Sequence, residues 1–143
     1  MGILDFLKKN ILNENHNDIK TEEKTMELLY DEVIEVTHTN TENRQKILKK
    51  LWNDEEPIDD IYGRLLACEP DIEDGEMLSG KKCIKVVVLN DKGFNDELGY
   101  IPDKYYDVLH NYAGPTRGYK VDLYAKKELN EYKLNVRIRF FEL

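Results

Sequence analysis

CIKVVVLNDKGFNDELGYIP, residues 83 to 102, decides the fold. Cys83 to Leu89 is a β-branched, apolar run and reads as a strand. Asn90 to Asn95, with Gly93, makes a turn. Glu97 to Ile101 is a second, shorter strand, and Pro102 follows it. A strand, a tight turn and a strand is the signature of an antiparallel hairpin.

Working outward, the same grammar repeats. Ile61 to Cys68 (IYGRLLAC) reads as a strand stopped by Glu69-Pro70, and Asp71 to Gly80 reads as a polar loop. Before it, Glu32 to Thr39 (EVIEVTHT) alternates apolar and polar residues, so it is also a strand. TENRQKILKKLW follows. Thr41 can cap a short helix there, with Ile47, Leu48 and Leu51 as its apolar stripe. NDEEPIDD, residues 53 to 60, is a loop. After Pro102, Asp103 to Tyr112 reads as a second helix, with Tyr106, Val108, Leu109 and Tyr112 as its mostly apolar positions. Arg117 to Tyr124 and Tyr132 to Phe141 form a closing hairpin, in which Val136, Ile138 and Phe140 alternate with Asn135, Arg137 and Arg139. The expectation is six strands and two short helices over 26–143. Short connections favour antiparallel pairing, and closure into a small barrel of OB or SH3-like type would remove exposed edges.

Residues 1–25 read differently. Ile3, Leu4, Leu7 and Ile11 fall at helical spacing, so an amphipathic helix is expected, followed by a flexible polar linker from Asn13 to Lys24. Such a helix packs on its own domain, on a second copy of the chain or, less readily, on a membrane surface, since only Lys8 and Lys9 supply positive charge. Phe6 breaks the myristoylation pattern.

Composition narrows the function classes. The chain has 143 residues, 35% of them charged, and a net charge of −8. That length suits one domain. No run reaches the roughly 20 apolar residues of a membrane helix, and no signal-peptide pattern opens the chain, so a cytoplasmic protein is the expectation. Residues 1–60 hold 8 Lys/Arg against 15 Asp/Glu, and residues 61–143 hold 13 against 14. Acidity disfavours non-specific nucleic-acid binding but leaves room for a local basic face on the second half.

The motifs of common enzymes are missing. Gly-x-Gly-x-x-Gly, the Walker loop, Gly-x-Ser-x-Gly and His-Glu-x-x-His do not occur. Ser79 is the only serine and has no neighbouring His. Cys68 and Cys83 lack zinc spacing, and His16, His38 and His110 lie far from them, so a thiol buried in each of two strands is expected. The carboxylates at Asp71, Glu73, Asp74 and Glu76 read as a solvated loop, because Gly75 breaks the EF-hand pattern. The expectation is therefore no catalytic residue, no metal and no cofactor.

Binding chemistry is better represented. Single-strand sites combine aromatic platforms with cations that track the backbone. The chain has nine tyrosines, several beside lysines: Tyr119-Lys120, Tyr124 before Lys126 and Lys127, Tyr132-Lys133. The plainer account is that tyrosines suit half-buried strand faces and that Arg137 and Arg139 are solvated. Trp52 reads as a packing residue, and His110 as packed or solvated rather than catalytic.

Two stretches carry a family resemblance. One is VTHTNTENRQKILKKL, residues 36 to 51. The other is Leu66-Ala67-Cys68-Glu69-Pro70, later joined by Cys83-Ile84-Lys85-Val86 and Leu98-Gly99-Tyr100-Ile101-Pro102. Their order resembles the HIRAN domain over roughly Val33 to Tyr112. The resemblance implies a small β-barrel, found in helicase-like DNA-repair proteins and as stand-alone bacterial proteins. It implies binding of single-stranded DNA at a free 3′ end. By position, the family's binding loop falls on Thr37, His38 and Thr39, and Tyr100 matches the same face. Arg44 and Arg117 would add phosphate contacts. Arg44 has a structural alternative, bonding strand carbonyls and the loop before its helix. The chain departs from the family in three places. His38 alone could stack in the loop, the insert DIEDGEMLSGKK replaces a Tyr-Asp pair, and Asp103 stands where a basic residue is usual. A second function of another class therefore stays open: a protein-interaction module that kept the barrel and lost DNA binding, with the N-terminal helix for docking or self-association.

Overall fold

A computed structural model of the chain describes residues 26–52 and 61–143. The expected N-terminal helix and linker, and the 53–60 loop, lie outside the described residues. The elements run β1 (Glu27–Glu35), α1 (Glu42–Leu51), β2 (Arg64–Leu65), β3 (Pro70–Glu76), β4 (Lys82–Leu89) and β5 (Asn95–Tyr100). A 3-10 turn (Asp103–Tyr105), α2 (Tyr106–Tyr112), β6 (Arg117–Glu128) and β7 (Glu131–Glu142) complete them. The fold is β-rich with two short helices, as expected, but the described residues form seven strands rather than six.

All pairing is antiparallel. One sheet has the order β1-β7-β6-β2, the other β3-β4-β5. The strand missed in the sequence is β3, where a polar loop was expected. Pro70 starts this edge strand, where a missing N–H costs no ladder bond. Ile72 is fully buried beneath it. Two of its acidic residues bond to other elements and two stand opposite lysines. Glu73 and Glu76 stand directly opposite Lys85 and Lys82 of β4, cross-strand pairs of opposite charge. Asp71 is buried and accepts from the Tyr119 hydroxyl at 2.6 Å and from the Ile72 N–H at 2.8 Å. Asp74 meets His110 Nε2 at 2.7 Å, while His110 Nδ1 meets the Tyr106 carbonyl, so His110 joins α2 to β3. Asp71 and Asp74 are therefore structural rather than part of a solvated loop, whereas Glu76 is exposed.

The strands bury alternate residues. Leu134, Val136, Ile138 and Phe140 of β7 are at most 1% exposed and meet Ile34, Ile84, Val86 and Leu98 in one core. Leu48 of α1 and Leu109 of α2 are also fully buried in it. Thr41 caps α1, its Oγ1 accepting from the Arg44 N–H at 3.3 Å. Lys49 and Lys50 occupy the last turn, where cations suit the helix dipole. Cys83 lies buried on β4, as expected, whereas Cys68 lies in the connector after β2 rather than in a strand. Both are free thiols, and burial pushes the Cys68 thiol up to about 11.

The sheets meet at one backbone bridge. Thr37 N–H donates to the Tyr100 carbonyl at 2.9 Å, and Tyr100 N–H donates to the Thr37 carbonyl at 3.0 Å. A helix packs near each of the two strands that flank this bridge. The Tyr30 ring of β1 packs on Tyr112 of α2 at 4.8 Å, and Glu97 of β5 is reached by Arg44 of α1. The ladders do not run continuously around both sheets.

The outer face of the first sheet is held by ion pairs. Arg137 donates to Asp31 through Nε at 2.9 Å and NH2 at 2.7 Å. Hydrogen bonding from Arg137 holds the Asp31 carboxyl below its ordinary range. The stabilisation is present above the unfolded carboxylate pKa of about 4 and is lost as pH falls through the lower folded value. The pair is partly exposed, so Asp31→Asn is expected to cost about 1 kcal/mol at neutral pH. Urea melts at pH 7 and pH 3 check this: the gap between wild type and variant should narrow in acid.

Candidate functional site

The Thr37–Tyr100 bridge is also where the expected binding residues gather. β1 ends at Glu35, and Val36 N–H donates to the Leu134 carbonyl at 2.9 Å. The chain must then leave the sheet and enter α1 within a few residues. It does so through His38, whose φ is 61°. That left-handed conformation is uncommon for a residue with a side chain, although His tolerates it better than most.

The turn is held by bonds to two consecutive residues of α1. Arg44 NH1 donates to the His38 carbonyl at 2.6 Å. Gln45 Nε2 donates to the Thr39 carbonyl at 2.8 Å. The Arg-Gln pair thus satisfies successive carbonyls that the bend removes from any ladder. Gln45 also ties the turn to β7: its Nε2 donates to the Tyr132 carbonyl at 3.1 Å and its Oε1 accepts from the Tyr132 N–H at 2.8 Å. Thr39 itself is buried.

Tyr100 lies beneath. The His38 ring meets the Tyr100 ring edge-on, at 5.1 Å between centroids and 69° between planes. The Arg44 guanidinium lies 5.0 Å from the same centroid, and its NH2 reaches the Tyr100 hydroxyl at 3.4 Å. Thr37 Oγ1 donates to the Tyr100 carbonyl at 3.1 Å. Having given its one proton, that hydroxyl accepts from His38 Nδ1 at 2.8 Å. His38 is exposed, and this tautomer leaves its Nε2 as the nitrogen directed away from Thr37.

Gly99 makes the close approach possible. A Cβ there would lie 2.3 Å from the Thr37 carbonyl oxygen and 2.6 Å from Val36 Cγ1. Charge is nearly balanced: Glu97 pairs with both Arg44 and Lys85, leaving one surplus positive charge among these three. Pairing with Glu97 raises the Lys85 ammonium above its ordinary value.

Of the six expected site residues, Thr37, His38, Thr39, Arg44 and Tyr100 come together. Arg117 does not. It opens β6, donates to the Tyr112 carbonyl at 3.0 Å and pairs with Glu142. Glu142 lies eight residues along β7 from Leu134, a span of about 26 Å. The structural alternative for Arg44, bonding the loop before its helix, is what its geometry shows. Sequence reasoning missed Gln45, Lys85 and Glu97 as neighbours of the site. The Arg-Gln pair was visible as a motif; the hairpin register that sets Lys85 opposite Tyr100 was not.

Trp52 and His110 pack as expected, Trp52 against Tyr132 and beneath Arg64. Among the described residues, no group of three or more His, Cys, Asp or Glu side chains could hold a metal ion, and no helix is long and apolar enough to cross a membrane. No family model, no curated protein and no solved structure matches the chain.

Proposed function

We propose that the chain is a HIRAN-like, non-enzymatic module that binds single-stranded nucleic acid, DNA or its 3′ end, at the Thr37–Thr39 turn. The two sheets are then the halves of a small OB-like barrel whose seam is the Thr37–Tyr100 bridge. The observation that carries the reading is the clamped left-handed turn, which presents an exposed His38 ring against Tyr100. Holding an aromatic ring in one orientation before the ligand arrives lowers the ordering cost of binding. His38 offers a stacking edge and Nε2, and Tyr100 fixes its angle. Arg44 and Gln45 position the turn, and Arg44 and Lys85 supply the local field. Arg117 is left out of the contact.

A protein-interaction role is the second reading. It is favoured by Glu97, which sits against both cations of the site, and by the net charge of −8.

Fluorescence anisotropy with labelled single-stranded DNA, carrying free or blocked 3′ ends, tests the proposal across a salt series. Binding that weakens with salt and needs the free end supports it in full. Salt-dependent binding that ignores the end supports a strand binder without end recognition. No binding at low salt overturns it in favour of the protein-interaction reading.

A further inference from the structure

We infer that the exposed lysines of α1 and Lys127 near the tip of the β6–β7 hairpin form one basic surface, along which the phosphate backbone of a bound single strand continues beyond the Thr37–Thr39 turn. This rests on the nucleic-acid reading above and adds a second contact region to it.

Lys46, Lys49 and Lys50 stand at i, i+3 and i+4 on α1, so they share one exposed face. Lys46 pairs with Glu42 at 3.4 Å. Lys49 and Lys50 make no ion pair among the described residues. At the hairpin tip, Lys126 and Lys133 stand opposite one another in register, but strand alternation turns them to the face away from Tyr132 and α1, so they lie outside this surface. The next pair is Lys127 and Tyr132, with the Lys127 ammonium 5.8 Å from the Tyr132 ring centroid.

Tyr132 joins the two elements. Trp52, at the end of α1, packs on it at 5.5 Å, and Gln45 bonds both its backbone N–H and its carbonyl. Helix and hairpin tip are therefore fixed to each other. The same Gln45 amide holds the Thr39 carbonyl, so the surface begins where the turn ends. Among the described residues of this face, four lysines, Lys46, Lys49, Lys50 and Lys127, stand with one carboxylate, Glu42, in a chain whose net charge is −8; residues 53–60, which carry five carboxylates, lie outside the described residues. Charge segregated against the sign of the whole molecule is the electrostatic footprint of a polyanion partner.

The test compares the full chain with two triple variants of equal net charge. One is Lys49→Gln/Lys50→Gln/Lys127→Gln. The other, Lys82→Gln/Lys92→Gln/Lys120→Gln, neutralises lysines of β4, the β4–β5 turn and the middle of β6, away from that surface. Both are titrated against oligothymidines of about 5 and about 20 nucleotides across a salt series. The first triple is expected to bind the long strand about tenfold more weakly at low salt, with a log–log salt slope shallower by about 2, and to bind the short strand as wild type does. The second triple should keep the wild-type slope. Equal slopes for wild type and the first triple, or equal losses in both triples, would overturn the inference and leave the turn as the sole contact. A wild type that binds neither strand would overturn the proposed function itself, and this inference with it.

Discussion

Gly99→Ala is expected to destabilise the chain by about 3 kcal/mol, the upper end of the range for inserting atoms into a packed site. The sign is the informative part. Alanine in a strand interior ordinarily stabilises relative to glycine by roughly 0.5–1 kcal/mol, because glycine has more conformational freedom to lose. Here the new methyl carbon would lie 2.3 Å from the Thr37 carbonyl oxygen. That oxygen accepts from the Tyr100 N–H at 3.0 Å, so it cannot retreat without breaking the bridge between the sheets. Val36 Cγ1, at 2.6 Å, blocks the other side. Gly93 provides the comparison. Its φ is 85°, but nothing lies within 4 Å of a Cβ there. Gly93→Ala pays only backbone strain, about 1 kcal/mol. Urea denaturation of both variants measures the difference. A Gly99→Ala midpoint at or above that of the wild type would contradict the tight seam.

Tyr100→Ala is expected to weaken single-strand binding about tenfold or more, the scale of one lost stacking platform. The ring supports His38 edge-on and Arg44 across its face, so its removal leaves the turn without its floor. Stability should fall less, by about 1–2 kcal/mol, since an edge contact and a partly exposed cation–π contact contribute about 0.5–1.5 and 0.5–1 kcal/mol. Tyr100→Phe separates the two roles. It keeps the ring and loses only the hydroxyl, whose contact with Arg44 is a long 3.4 Å. It should bind within about twofold of the wild type, because a contact of that length is weak. Anisotropy titrations of both variants decide this. Equal loss in the Phe and Ala variants would move the function from the ring to the hydroxyl.

The two features differed in how far the sequence announced them. β4, β7 and α1 declare themselves through apolar period, and their buried residues are the ones that alternation and helical spacing select. β3 does not, because its polar residues meet neighbours distant in sequence: Tyr119 bonds Asp71, His110 bonds Asp74, and Lys85 stands opposite Glu73 across the ladder. A one-dimensional pattern records polarity but not whether a partner will stand opposite. The first strand was displaced for a related reason. Thr37 and Thr39 continue the β-branched alternation, yet the chain bends at His38, because Arg44 and Gln45 arrive to take the two carbonyls. Arg117 shows the converse error. It has the right chemistry for a phosphate contact, but its register places it opposite Glu142, at the far end of β7.

The central claim is that the Thr37–Thr39 turn over Tyr100 is where a single strand is held. Amide chemical shifts of the isotopically labelled chain, followed while a short single-stranded DNA is added at low salt, test it most directly. The expected result is saturable shifts largest at Thr37, His38, Thr39 and Tyr100, with smaller ones spreading into α1. Shifts centred instead on Arg117 and Glu142, or no shifts at saturating strand, would contradict it.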